Sequence, residues 1–126
     1  MPRQNPRRTA LILSTALAVS GALHFARPKT FDGIVPESLP GEPRTWTLVS
    51  GGAELACAAA LAIPRTRSVG GILAAALFVA VFPANVKMAR DALRSRRAAP
   101  RRKVIAIVRL PLQVPLVLLA LQARRG

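Results

Sequence analysis

Five polar residues set in otherwise apolar stretches carry whatever chemistry this chain performs: His24, Glu54, Asn85, Arg109 and Gln113. His24 and Glu54 can exchange protons, Arg109 can anchor an anion or a carbonyl, and Asn85 and Gln113 can donate hydrogen bonds. An ionisable group at the centre of a membrane helix costs about 2.5–3.5 kcal/mol on insertion scales. Such residues are therefore candidates for a functional site by default. Their spacing strengthens the case. Ser20 and His24, Ser50 and Glu54, and Arg109 and Gln113 are i,i+4 pairs, so each pair shares one helix face. There is no nucleophile triad, metal-ligand cluster, glycine-rich phosphate loop or haem motif, so no catalytic residue and no metal ligand is assigned. His24 is the sole histidine, which excludes bis-histidine haem within one chain.

Four apolar stretches must position these residues: Thr9 to Ala26, Thr45 to Ile63, Ser68 to Val86 and Val104 to Ala123, of 18, 19, 19 and 20 residues. A helix needs roughly 17–25 such residues to cross the hydrocarbon core. The expected fold is all-α: an integral membrane, antiparallel four-helix bundle forming a single domain over residues 1–126. Thr9 can cap the first helix. Pro64 stops the second, and Arg65-Thr66-Arg67 makes a tight turn into the third. Small residues at four-residue spacing favour close helix contact: Ala18 with Ala22, Gly52 with Ala56 and Ala60, Gly71 with Ala75. The segment Arg27 to Arg44, with four prolines, reads as a helix-averse loop. Its Phe31, Ile34, Val35 and Leu39 either press onto headgroups or plug the bundle mouth. Trp46 is expected at the interface.

The spans place the polar residues in one half of the bilayer. At 1.5 Å per residue, Glu54 lies about 13 Å deep, Asn85 about 5 Å, Arg109 about 8 Å and Gln113 about 13 Å from the face where His24 sits. One shared polar pocket is expected, opening opposite the termini. Two readings of it stand side by side. In one, Glu54 pairs with Arg109 and the cluster fixes helix register. In the other, the same residues bind a ligand. A Glu54–Arg109 pair is expected under both, because each is the inexpensive partner for the other's charge. Pro83 and Pro111 free the carbonyls of Val79 and Ile107 beside Asn85 and Arg109, and Pro115 adds a further break, so the third and fourth helices are expected to kink.

Composition narrows the setting. The chain carries 19 Lys and Arg against five Asp and Glu, a formal charge of +14. Clustered cations suit nucleic acid, but that reading leaves four long apolar blocks unexplained. The charges instead lie in loops and tails against anionic headgroups. The arginine-rich stretch Arg90 to Lys103 is the densest of these. Cys57 is a lone thiol in the second apolar block and reads as a packing residue. Arg3, Arg7 and Arg8 precede an apolar run in the manner of a signal peptide, but its length favours an uncleaved first helix. Both termini are placed in the cytoplasm, on the basic flank of the first helix, against a loop count that favours the reverse.

Several short runs resemble the small DoxX-like membrane proteins: Gly21-Ala22-Leu23-His24-Phe25 with Pro28, Phe31 and Ile34-Val35-Pro36, then Leu39-Pro40; Ser50-Gly51-Gly52-Ala53-Glu54-Leu55; Pro64-Arg65-Thr66-Arg67; Phe82-Pro83-Ala84-Asn85; and Arg109-Leu110-Pro111-Leu112-Gln113. The resemblance spans roughly residues 9 to 122. It implies a four-helix bundle in a bacterial cytoplasmic membrane, and it makes His24, Glu54, Asn85, Arg109 and Gln113 the ligand-binding positions. It also implies a quinone-associated redox or oxidative-stress subunit, with quinone as the possible cofactor. Such a subunit is redox-active only in complex with a partner oxidoreductase. The alternatives are a non-catalytic scaffold that recruits a soluble enzyme through Arg90 to Lys103, and a small-solute or proton carrier acting as a homo-oligomer.

Overall fold

The computed structural model describes residues 5–33, 35–36, 38–95 and 100–126, with the backbone alone at position 102. Among these there are six α-helices and no strand: α1 (Pro6–Ala26), α2 (Pro28–Asp32), α3 (Pro43–Ala62), α4 (Arg67–Ala80), α5 (Phe82–Arg94) and α6 (Pro100–Ala123), with a 3-10 turn at Pro64–Thr66. Prolines set most of the starts. Pro6, Pro28, Pro43 and Pro83 occupy the first turn of α1, α2, α3 and α5, where a missing N–H costs nothing.

Helix boundaries differ from the sequence expectation where a local cap outweighs hydropathy. Asn5, and not Thr9, caps α1: its Oδ1 accepts the Arg7 N–H at 3.0 Å, while the Thr9 hydroxyl donates back to the Asn5 carbonyl at 3.2 Å. Part of the segment after Arg27 is helical, because Pro28 starts the short α2. The expected third span divides into α4 and α5 around Val81, as Pro83 has no N–H for the Val79 carbonyl. By contrast, α6 runs unbroken through Pro111 and Pro115.

Three helical stretches are long and apolar enough to cross a membrane: Pro6–Ala26, Pro64–Arg94 and Lys103–Ala123. The second expected span, now α3, is not among them. Thr45, Thr47, Ser50 and Glu54 dilute its hydropathy, and its remaining residues are largely alanine and glycine.

Packing joins the long helices in sequence. α1 lies against α3, α3 against α4, α4 against α6, and α6 against α1. Glycines allow the closest approaches. A Cβ at Gly51 would come within 2.6 Å of the His24 Cβ, and one at Gly21 within 2.9 Å of the Gly51 carbonyl oxygen. Gly70 and Gly71 wedge α4 between two neighbours: a Cβ at Gly70 would meet the backbone of Ala60 and Leu61 at 2.8 Å, and one at Gly71 the Ala120 carbonyl at 2.6 Å. Gly52, expected at a contact, has open space around it, and Ala22 and Ala56 are exposed. The resulting core is built of Ala10, Leu13, Leu17, Cys57, Ala58, Leu61, Ala74, Ala75, Ala120 and Ala123. A smaller cluster of Ala89 and Ala92 against Ala106 docks α5 on α6.

Side-chain-to-backbone hydrogen bonds tie these helices together. The Ser14 hydroxyl donates to the Ala58 carbonyl at 2.7 Å. Arg67 was expected as a free loop cation, but it is 4% exposed and closes the end of α3. Its Nε donates to the Leu61 carbonyl at 2.7 Å and its Nη2 to the Ala62 carbonyl at 3.1 Å, with Thr66 Oγ1 on Ala60 at 2.9 Å. Three otherwise orphaned helix-end carbonyls are satisfied in this way.

The glycine contacts predict a sharp contrast between neighbours. Gly70→Ala and Gly71→Ala meet rigid backbone and should each destabilise by about 1–3 kcal/mol. Gly52→Ala meets nothing and should stabilise by roughly 0.5–1 kcal/mol through helix propensity. Thermal unfolding in detergent micelles measures all three, and a Gly70→Ala midpoint equal to wild type would contradict the packing described.

Candidate functional site

The end of the molecule away from the Gly71–Ala120 contact encloses a cavity of about 680 Å³. His24, Glu54, Asn85, Arg109 and Gln113 all line it, so residues far apart in sequence are brought to one wall system by α1, α3, α5 and α6. Ser20 and Ser50 join them from the same helix faces. The rest of the lining is largely apolar, with Leu13, Leu17, Leu77, Phe78 and Leu116 toward the core.

His24 closes the last turn of α1 and is 7% exposed. Its Nδ1 donates to the Ser20 carbonyl at 2.7 Å. The same nitrogen stands 3.4 Å from Glu54 Oε2, and the ring stacks on Phe31 with centroids 3.7 Å apart. The Ser20 hydroxyl also faces the Glu54 carboxyl. Asn85 enters from the first turn of α5. It is 3% exposed, and its amide makes no hydrogen bond to a described residue. Arg109 and Gln113 stand one turn apart on α6. The Arg109 guanidinium makes one contact among the described residues, Nη1 to the Met88 sulfur at 3.7 Å.

The expected Glu54–Arg109 pair is not formed: among the described residues the ion-pair neighbour of Glu54 is His24. Packing supplies the reason. Gly21 and Gly51 draw α1 onto α3 and carry His24 to Glu54, whereas α6 packs on α4, α5 and α1 and faces α3 across the cavity.

Of the two fates expected for the first loop, the apolar residues take the plug. Phe31, Val35, Pro36 and Leu39 line the cavity, and Trp46 lines it while donating from Nε1 to the Pro40 carbonyl at 2.7 Å. Ile34 lies outside the described residues. Two latches that sequence reasoning missed hold this loop. Asp32 Oδ1 accepts from Thr47 Oγ1 at 2.7 Å, and its Oδ2 accepts from Arg44 Nε at 3.0 Å. Lys87 Nζ donates to the Gly33 carbonyl at 2.8 Å and to Asp91 Oδ2 at 2.7 Å. In sequence the only signal was the presence of loop acids near loop cations, which does not distinguish partners. The Thr47 hydroxyl, helped by Arg44, holds the Asp32 carboxyl below its ordinary range against a smaller opposing effect of burial. Of the arginine-rich stretch, Arg90, Arg94 and Arg101 are exposed; Arg96, Arg97 and the side chain of Arg102 lie outside the described residues.

The Asp32 latch predicts a pH dependence of known sign. A carboxyl lowered on folding stabilises above its unfolded pKa and loses that contribution as pH falls through the folded one. Loop closure should therefore be constant through neutral pH and weaken only below the ordinary carboxylate range. Asp32→Asn should loosen it at every pH, read as faster hydrogen exchange at residues 29–33 with exchange in the α1–α3 core unchanged. Exchange equal to wild type at those residues would show that the latch does not hold the loop.

Comparison with known proteins corrects the family expectation. No curated protein and no solved structure matches the chain. The family model that does match is not a DoxX family, so the DoxX-like resemblance is withdrawn, and the oxidative-stress association that came with it goes too. The short runs behind it consist of proline breaks, small packing residues and isolated polar positions, which are features that compact apolar helical bundles need for general physical reasons. Residues 13–124 match the model of a domain of unknown function, DUF8561, and the chain belongs to that family.

Proposed function

We propose that this protein is an integral membrane bundle in which α1, α3, α4 with α5, and α6 all cross the bilayer, and that its cavity binds the polar head of a lipid-soluble ligand of the quinone type. The membrane is taken as a bacterial cytoplasmic membrane with the termini inside. Support for α3 as a fourth crossing comes from its place between α1 and α4, each part of an apolar stretch of spanning length. The face it leaves exposed carries Leu48, Val49, Leu55, Ala56 and Ala59, an apolar surface that suits lipid.

One observation carries the ligand reading. Five polar residues from four helices face a single cavity of about 680 Å³, within the roughly 300–1,000 Å³ usual for small-molecule sites. A register device needs its polar groups to satisfy one another. Here, among the described residues, the Arg109 guanidinium bonds only a thioether, and the Asn85 side chain makes no hydrogen bond, its backbone N–H going to the Val81 carbonyl. Spare donors beside an apolar slot suit a ligand with an oxygen-bearing head and an apolar tail. The described residues offer no electron-transfer centre, so a redox role would need a partner oxidoreductase that exchanges electrons with the bound ligand.

The test is organic extraction of the mildly solubilised, purified protein, with quinone and quinol together counted per chain. Wild type should carry close to one equivalent, and the double variant Glu54→Gln with Arg109→Gln should lose it. A wild-type content no higher than that of an unrelated membrane protein would remove the quinone reading.

A further inference from the structure

The end of the molecule at the Gly71–Ala120 contact carries charge of one sign. Five exposed arginines stand there: Arg7 and Arg8 at the start of α1, Arg65 in the turn between α3 and α4, and Arg124 and Arg125 after α6. Among the described residues no acidic side chain lies at this end. Asp32 and Glu42 belong to the loop over the cavity, Glu54 to the cavity wall and Asp91 to α5. The two ends therefore use their cations differently. At the cavity end Arg44 is paired with Asp32, and Lys87 with Asp91. At the opposite end Arg67 serves the carbonyls of α3. The guanidinium groups of the five exposed arginines make no ion pair or hydrogen bond to any described residue.

Packing gathers four of these five. A Cβ at Gly126 would come within 2.7 Å of the Arg7 backbone nitrogen, so the turn carrying Arg124 and Arg125 lies against the first turn of α1. From Arg7 and Arg8 a shallow groove runs along the outer face of α1 past Leu11, Ile12 and Val19, all of them exposed. Grouped guanidinium forks match the oxygens of a phosphate. An apolar face beneath them matches an acyl chain. An acidic protein would meet the arginines and leave that face uncovered.

We infer that this end of the bundle seats an anionic phospholipid, with its phosphate between Arg7–Arg8 and Arg124–Arg125 and an acyl chain in the groove on α1. The inference rests on reading α1 as a membrane crossing, and it is independent of the ligand proposed for the cavity.

The test is native mass spectrometry of the full chain, released from a neutral detergent containing equimolar phosphatidylglycerol and phosphatidylcholine with identical acyl chains. Wild type should retain the anionic lipid at least about fivefold over the zwitterionic one, the scale of one arginine at an anionic surface. Arg7→Gln with Arg8→Gln, and separately Arg124→Gln with Arg125→Gln, should each lower that preference at least about threefold. Arg90→Gln with Arg94→Gln, at the cavity end, should leave it within about twofold. No preference in wild type, or an equal loss from both ends, overturns the inference. Should neither of the first two variants fold, the third decides: a preference that it abolishes overturns the seat, and one that it keeps supports it. Alkaline carbonate washing of vesicles that hold the chain tests the membrane crossing itself. A chain that washes off removes both readings, whereas one that stays and shows no lipid preference loses only the seat.

Discussion

The close approach of α1 to α3 through Gly21 and Gly51 is the constraint on which the rest depends. Without Cβ atoms at these positions the helices come near enough for His24 to reach Glu54 and for the Ser14 hydroxyl to reach the Ala58 carbonyl. In a membrane, where no hydrophobic force drives helices together, association of such helices would rest on this packing and on the polar bonds it permits. Gly70 and Gly71 repeat the device, seating α4 between α3 and α6. The core there is mostly alanine, closed and thin. At the other end, Leu13, Leu17, Leu77, Phe78 and Leu116 line a cavity.

That division separates structure from chemistry along the length of the molecule. The closed end is finished by side chains bonded to backbone, with Arg67 and Thr66 satisfying the last carbonyls of α3. Among the described residues the open end leaves polar atoms in reserve: Arg109 on a weak acceptor, the Asn85 side chain without a bond, and Glu54 Oε2 and Gln113 Oε1 without donors. A loop covers it, held by Asp32 on α3 and by Lys87 on α5. Phe31 reaches down from this cover to stack on His24, so the loop packs directly against the His24–Glu54 contact.

The sequence was legible where the physics is local. The i,i+4 faces and the depth of each residue along its helix suffice to bring His24, Glu54, Asn85, Arg109 and Gln113 toward one end of the bundle, because rise per residue is nearly constant. It was less legible at caps and at breaks. Asn5 outranks Thr9 through a single side-chain bond, and Pro83 divides a stretch that hydropathy alone reads as continuous. Short motifs misled most over kinship, since proline, glycine and buried polar residues recur wherever apolar helices must pack and kink.

By itself, then, the sequence determined an all-helical, largely apolar chain with the polar residues of its spans toward one end. Only the tertiary structure decided which of them touch. Glu54 meets His24 rather than Arg109 because glycine contacts set which helices are adjacent and which are diagonal, a choice made by surfaces that meet only after folding. Arg67 became a helix cap and not a headgroup ligand for the same reason: the carbonyls it satisfies exist as acceptors only once α3 has ended beside it.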